Sequence, residues 1–230
     1  MIEQDKPAQT GLEDTLLRLN LEGTRNVLHK RHRHIDYIMS KCKGYLRGRA
    51  CDVGIGDGYL LDKLATTGLS TYGMDISRYI MDRLNGHLLA CGDISKTRPD
   101  IKFGINFEVI TCLGIIEHVL DIESAVLNLK NSLVGNGILI VSTVLNENLD
   151  NNMTQCPNCQ HIFHRIGHQH SFADWQQLLC LFRGFTVIKK GYMPLFIFKT
   201  DWLNRIVSWL YSRRTGCSRQ VYILLRKENK

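Results

Sequence analysis

Three glycines that closely follow an aspartate form the part of this sequence best suited to binding a ligand. Asp52 ends a short apolar segment, and Gly54, Gly56 and Gly58 follow at every second position. Glycine lets the backbone turn tightly and approach a ligand without a Cβ atom in the way. The leucine spacing after the turn predicts a helix, and the free amides at its start would face the ligand. The pattern therefore predicts a nucleotide-like ligand above this turn.

Two more aspartates follow predicted strands farther along the chain. Asp75 ends the segment 69–75, and Asp93 follows the segment 88–92. A carboxylate at the end of a strand can accept hydrogen bonds from both hydroxyls of a ribose. Asp75 could also cap the helix that follows it, and the two roles are compatible.

The spacing of the glycines separates two kinds of nucleotide-binding turn. A dinucleotide-binding turn reads G-x-G-x-x-G or G-x-G-x-x-A, and here Tyr59 stands at the last of those positions. G-x-G-x-G after an aspartate resembles the first motif of class I S-adenosylmethionine (SAM)-dependent methyltransferases. The fourth predicted strand, 107–113, and the Glu-His-Val sequence at 117–119 resemble the subgroup that methylates quinones and other small molecules at oxygen. The similarity extends over about residues 45–145.

The resemblance implies a fold and a cofactor site. The family has a Rossmann-like α/β fold, in which a seven-stranded, mostly parallel sheet carries helices on both faces. Its last strand is antiparallel and lies between strands five and six. SAM would be the cofactor, with its sulfonium near Asp52 and its ribose on Asp75. Asp93 would bind the adenine amino group, and Leu113 and the three glycines would complete the site.

Glu117 and His118 are the candidate catalytic residues, because they follow the fourth predicted strand at the edge where open α/β sheets bind ligands. SAM carries an activated methyl group, so the protein must align the acceptor and remove a proton from a hydroxyl. His118 is the predicted general base, since imidazole titrates near neutral pH. It could instead be a structural residue at the start of a helix. A related subgroup binds a divalent metal with a glutamate three residues before the Glu-His pair, and Gly114 at that position disfavours such a site.

A later segment contains two cysteines and four histidines within 15 residues. Cys156 and Cys159 form one arm of a tetrahedral zinc site, and His164 and His168 have a common ligand spacing. We predict that these four residues bind a structural zinc ion and make a rigid flap of the Cys/His insertion, 146–170. The alternative is a flexible thiol pair with histidines that serve the active site. Gly-His-x-x-Ser-Phe resembles a family element whose histidine faces the substrate, so the role of His168 stays open.

The chain divides into two predicted parts. Residues 1–48 form an N-terminal helical cap, and residues 49–230 form the methyltransferase domain. Residues 193–216 are an apolar helical insertion within that domain. Segment 193–214 could be a lid, a dimer face or a helix lying on a membrane, and core packing is the simpler alternative. The oligomeric state does not follow from the sequence.

Composition narrows the class of protein. The 230 residues are enough for one α/β domain with a full core. The net charge of +7 is concentrated near both ends, which we interpret as solvated helix faces; nucleic acid, an anionic membrane or an acidic substrate are alternatives. The 8 scattered cysteines, the lack of a secretory signal and the lack of a long apolar run indicate a cytoplasmic protein.

These patterns predict a SAM-dependent methyltransferase that acts at oxygen on a small-molecule or a lipid- or glycan-linked acceptor. The fourth strand lacks the Asp/Asn-Pro-Pro-aromatic motif of base amino methylation, and no Pro-Cys nucleophile occurs, so nucleic acid is a disfavoured substrate. The alternative is a catalytically silent methyltransferase fold, stabilised by zinc, that binds nucleic acid or protein. The complete set of cofactor motifs argues against that alternative.

Overall fold

The computed structural model describes residues 25–84, 86–194, 202–203, 206 and 218–229. The first half of the predicted helical cap and most of the predicted apolar insertion lie outside these residues. Within the insertion, residues 202, 203 and 206 are helical, and two of their side chains, Trp202 and Ile206, are exposed.

Strands and helices alternate along most of the described chain. The strands are β1 (Arg49–Val53), β2 (Ser70–Asp75), β3 (Leu88–Cys91), β4 (Phe107–Leu113), β5 (Leu133–Leu145), β6 (Met153–Gln155), β7 (Ile162–His164), β8 (Phe185–Tyr192) and β9 (Arg219–Lys227). The α-helices are α1 (Arg25–Cys42), α2 (Tyr59–Thr66), α3 (Arg78–Arg83), α4 (Pro99–Phe103), α5 (Ile122–Ser132) and α6 (Trp175–Cys180). This alternation is typical of a parallel sheet whose crossovers are helices.

The main sheet has seven strands in the order β3-β2-β1-β4-β5-β9-β8. Strands β1 to β5 pair with one another in parallel, whereas β9 pairs antiparallel with both β5 and β8. The predicted fold is therefore confirmed, including the antiparallel strand inserted between the fifth and sixth strands of this sheet. That strand is β9, and its neighbours are β5 and β8. Strands β6 and β7 form a separate antiparallel hairpin within the predicted Cys/His insertion.

Successive side chains of the central strands point to opposite faces of the sheet. Helices pack on both faces and cover these side chains. In β5, Ile138 and Ile140 pack in the cluster that contains side chains of α1 and α2. Leu139 and Val141 belong instead to the cluster that contains the apolar face of α5. All four are buried, which explains why this run is continuously apolar rather than alternating.

An ion pair joins the beginnings of β1 and β4. The Arg49 guanidinium donates to both carboxylate oxygens of Glu108, at 2.6 Å and 3.0 Å, and the Arg49 amide donates to Oε2 at 2.7 Å. These hydrogen bonds lower the pKa of Glu108 from 4.5 to about 2. The pair therefore stabilises the fold above pH 4.5, and its contribution is lost as the pH falls from 4.5 toward 2.

We expect Glu108→Gln to flatten the acid dependence of stability. Thermal unfolding at about pH 6 and about pH 3 measures this, and the wild-type melting temperature should fall more than that of the variant. Glu123→Gln, on an exposed position of α5, is the matched control for the loss of a carboxylate. An equal fall in wild type, Glu108→Gln and Glu123→Gln would contradict the assignment.

Candidate active site

The carboxyl ends of β1 to β5 lie at one edge of the sheet, and the predicted site residues lie along that edge. This follows from the parallel pairing, which aligns the strand ends. After β1 the chain makes the glycine turn, and after β4 it makes the turn that contains the predicted catalytic pair. The predicted residues along the edge are Asp52, Gly54, Gly56, Gly58, Asp75, Asp93, Leu113, Glu117 and His118.

The glycine turn packs tightly against the turn after β4. The Gly54 amide donates to the Met74 carbonyl at 2.8 Å, which ties the turn to β2. Gly54 has φ +82°, and a Cβ atom at this position would lie 2.0 Å from Ile115 Cδ1. Gly58, at φ +84°, begins α2. Glycine is therefore required at Gly54 by both the backbone angle and the close approach of Ile115.

We expect Gly54→Ala to destabilise the chain by about 2–5 kcal/mol, from a left-handed backbone at about 1–2 kcal/mol and overpacking against Ile115 at about 1–3 kcal/mol. The matched control is Gly68→Ala, because Gly68 also has φ +82° but no atom lies within 4 Å of its added Cβ. Chemical denaturation measures both variants. Gly68→Ala isolates the backbone cost, so equal losses would show that the contact with Ile115 costs nothing.

Asp75 and Asp93 are held by their local backbone. Asp75 is 6% exposed; its Oδ1 accepts from the Ser77 amide at 2.9 Å, and its Oδ2 accepts from the Gly56 amide at 3.4 Å. Asp93 is half-buried, and its Oδ1 accepts from both the amide and the hydroxyl of Ser95, at 2.9 Å and 2.7 Å. Asp75 thus ends β2 as predicted, but it does not cap the helix that follows, because the N-cap of α3 is Ser77.

Asp52 lies under the glycine turn and is 2% exposed. Its Oδ1 accepts a hydrogen bond from the Thr111 hydroxyl at 2.6 Å. Burial raises the pKa of Asp52 to about 7, and the Thr111 hydrogen bond and the Arg31 charge partly oppose that rise. A cation placed next to Asp52 would therefore favour its charged form.

Helix α1 contributes residues that the sequence analysis assigned to a solvated basic face. The Arg31 guanidinium lies 2.5 Å from the position that a Cβ atom on Gly56 would take. Its positive charge acts to lower the pKa of Asp52, Asp75 and His118. Nothing in the basic run itself could have singled out Arg31, because its neighbours in the fold are distant in sequence.

A second contact holds α1 on the glycine turn. His32 Nε2 lies 2.5 Å from Asp57 Oδ2, and the His32 ring stacks on the Tyr59 ring with centroids 3.8 Å apart. These contacts place α1 over the turn and beside the start of α2. Helix α1 therefore lies against the glycine turn of the candidate cofactor site.

Glu117 and His118 lie in the turn between β4 and α5. Glu117 is 4% exposed, and its Oε2 accepts from the Thr143 hydroxyl at 3.0 Å. Burial raises the pKa of Glu117 to about 7. Burial also lowers the pKa of His118 to about 4, and the nearby His168 adds to that effect. The rings of His118 and His168 are nearly perpendicular, with centroids 4.7 Å apart.

The Cys/His insertion places two of its histidines beside the candidate active site. His164 and His168 are buried, and their rings stack with centroids 5.0 Å apart. His168 Nδ1 lies 2.5 Å from Glu147 Oε2, and His164 Nε2 lies 4.0 Å from Glu147 Oε1. Glu147 was missed from the sequence, although it follows β5 much as Glu117 follows β4.

The two cysteines of the predicted zinc set lie apart from these histidines. Cys156 and Cys159 occupy the tip of the β6–β7 hairpin, where the Cys156 amide donates to the His161 carbonyl at 2.9 Å. Among the described residues, two groups place three candidate ligand atoms within 4.8 Å of one another, Glu117–His118–His168 and Glu147–His164–His168. Neither contains a cysteine. The structure therefore does not bring the four predicted ligands together. Cys156 and Cys159 lie at the tip of the hairpin, whereas His164, its last residue, lies beside Glu147.

The open sheet, the glycine turn, the aspartate that ends β2 and the aspartate that follows β3 define a SAM-dependent methyltransferase. Residues 22–190 match the family model described as "Methyltransferase domain", and the chain belongs to that family. The family match supports the enzyme and gives no support to the alternative of a silent binding module. No helix within the described ranges is long and apolar enough to cross a membrane.

Two curated relatives are ubiquinone biosynthesis O-methyltransferases from Rickettsia. The Rickettsia typhi protein is 28% identical over 134 residues, which cover 54% of each chain. The Rickettsia prowazekii protein is 30% identical over 136 residues, which cover 54% of this chain and 53% of the relative. The chain thus spans about half the length of the curated relatives that it matches.

Solved structures show the same fold over nearly the whole chain. A SAM-dependent methyltransferase from Clostridium acetobutylicum has a TM-score of 0.61 at 14% identity and covers 95% of this chain and 97% of its own. The N-methyltransferase NodS from Bradyrhizobium japonicum, in complex with S-adenosyl-L-homocysteine, has a TM-score of 0.60 at 12% identity, with 94% and 98% covered.

Proposed function

We propose that this chain transfers the methyl group of SAM to a hydroxyl of a small, quinone-type molecule. One observation carries the proposal: the glycine turn after β1 packs against the turn after β4, where Ile115 meets Gly54, and this second turn holds the half-buried imidazole of His118. The cofactor turn thus lies beside a group that can accept a hydroxyl proton. The name of the ubiquinone biosynthesis relatives supports oxygen as the acceptor atom.

Chain residues around the glycine turn would hold the cofactor. Asp75 would accept hydrogen bonds from the ribose hydroxyls, and Asp93 would bind the adenine amino group. The Arg31 guanidinium suits the carboxylate of the cofactor, since a guanidinium pairs well with a carboxylate. Asp52 would favour the positively charged sulfonium, which in turn favours the ionised form of this buried carboxyl.

His118 would act on the acceptor and not on the cofactor. The hydroxyl proton moves to the neutral imidazole while the oxygen lone pair forms the new C–O bond. SAM would supply the methyl group and leave as S-adenosylhomocysteine, with the electron pair of the S–CH₃ bond retained on sulfur. Glu117, fixed by Thr143 next to this histidine, would stabilise the imidazolium that forms.

The proposal extends to acceptors that are linked to a lipid or a glycan. Segment 193–214 would then contact the membrane. The small-molecule acceptor is preferred because the relatives are named for the synthesis of a quinone. The cytoplasmic location predicted from composition suits such an acceptor.

Titration calorimetry with SAM tests the cofactor site, and S-adenosylhomocysteine formation tests the transfer. The probe acceptors are catechol and 3,4-dihydroxybenzoate, each paired with an analogue that carries an amine in place of one hydroxyl. We expect SAM binding and methylation of oxygen in the catechols, located by mass spectrometry. Methylation of the amine analogues with none on the hydroxyl compounds would contradict the proposal.

A further inference from the structure

The wall of the candidate active site contains two acidic side chains with no strong cation to balance them. Glu117 is 4% exposed, and the Glu147 side chain is 10% exposed. Within the described ranges, the ion pairs of Glu147 are with His164 and His168, and neither glutamate pairs with lysine or arginine. Ionised carboxylates are costly to bury without a compensating charge, so this wall is suited to a cation.

Glu147, His164 and His168 present one ligand atom each within 4.8 Å of one another. They come from two elements, since Glu147 follows β5 and the histidines lie at and just after the end of β7. Two imidazoles and a carboxylate are a common ligand set for zinc and similar divalent transition metals.

A buried ring nitrogen of His164 gives an independent reason to place a ligand at this site. His164 is 5% exposed, and its Nε2 is buried without a hydrogen-bond partner within the described part of the chain. This nitrogen faces Glu147 Oε1 across 4.0 Å, which is too long for a hydrogen bond. A buried polar atom of this kind is costly to leave unsatisfied, and a shared ligand between His164 and Glu147 would satisfy it.

We propose that Glu147, His164 and His168 bind one divalent transition-metal ion of the zinc class. The site replaces the predicted set that included Cys156 and Cys159, and it does not depend on which acceptor the enzyme methylates. The metal ion ties the Cys/His insertion to the end of β5. It thereby fixes the position of His168, whose ring packs against His118.

Metal binding changes one backbone hydrogen bond at this site. His164 Nδ1 accepts from the His168 amide at 3.0 Å, which leaves the ring proton on Nε2 in the metal-free chain. When the metal takes Nε2, the neutral ring must adopt its other tautomer, in which its single proton lies on Nδ1 and no net proton is released. The His168 amide must then turn to another acceptor, so its NMR resonance reports directly on occupancy of the site.

The test uses the full chain, purified without a histidine tag, stripped with a chelator and titrated with Co²⁺ and Zn²⁺. We expect one ion per chain and a Co²⁺ spectrum without the near-ultraviolet charge-transfer band of a thiolate ligand. Glu147→Gln and His164→Asn should each weaken binding by about 100-fold or more, since even outer-shell changes cost 10–100-fold. Circular dichroism checks that both variants fold.

Three controls separate this site from its neighbours. His161→Asn, an exposed histidine of the same insertion, and the double change Cys156→Ser with Cys159→Ser should both keep wild-type affinity. Glu117→Gln, from the adjoining ligand group, should also keep it to within a few-fold. No binding by the wild-type chain, a thiolate band, or loss in Glu117→Gln with retention in His164→Asn would each overturn the proposal. If both ligand variants fail to fold, the proposal is tested on the wild-type chain. A cobalt spectrum without a thiolate band, together with a shifted His168 amide resonance, would support the site, and either result missing would overturn it.

Discussion

Replacing Asp75 by alanine is expected to weaken SAM binding by about 100-fold or more. Two charge-assisted hydrogen bonds to the ribose would be lost, at about 1.5–3 kcal/mol each before any compensation by water. The same change also removes the acceptor of the Gly56 and Ser77 amides, which shape the turn over which the cofactor would lie. Isothermal titration with SAM measures the effect.

Asp150→Ala is the matched control, because Asp150 is an exposed aspartate outside the cofactor site. It should bind SAM as the wild type does. Asp75→Ala with wild-type affinity would remove Asp75 from the ribose site. If neither the wild-type chain nor Asp75→Ala binds SAM, the cofactor assignment as a whole fails.

Replacing His118 by asparagine is expected to slow methyl transfer by about 100-fold to 10,000-fold, which is the usual contribution of a general base. SAM affinity should change only a few-fold, because the proposed cofactor contacts are those of the glycine turn, Asp75 and Asp93. Initial rates of S-adenosylhomocysteine formation at saturating SAM measure the loss, with a hydroxylated aromatic probe as the acceptor.

His161→Asn serves as the control, since it removes a histidine that is exposed at the hairpin. A rate for His118→Asn within threefold of wild type would show that another group takes the proton. Metal content measured on the same His118→Asn sample distinguishes a role of His118 in proton transfer from a role in supporting the metal site. Loss of activity with the metal retained assigns His118 to proton transfer and not to the support of the metal site.

The residues that could be predicted are those whose signal is local in sequence. Gly54, Gly56 and Gly58 share one short turn, and Asp75 and Asp93 each follow their own strand. Parallel pairing then brings these positions to one edge without further information. The antiparallel last strand was predicted from the family resemblance and not from its own residues.

Glu147 and Arg31 could not be predicted, because their roles arise from contacts between distant elements. Glu147 meets His168 across 21 residues, and Arg31 reaches Gly56 from a helix whose basic residues look like a solvated face. The zinc prediction relied on spacing within one segment. Spacing alone could not show that a hairpin would separate Cys156 and Cys159 from His164.

The place of β9 in the sheet has a consequence for how the chain folds. By Leu145 the chain has supplied β1 to β5, the whole parallel part of the sheet. β8 precedes β9 in sequence, but among the described strands it pairs with β9 alone, and β9 also pairs with β5. During synthesis, the parallel part can therefore form early, whereas the open edge of β5 must wait for residues 219–227. This delay, set by pairings that are distant in sequence, is expected to make closure of that edge the slow step of folding.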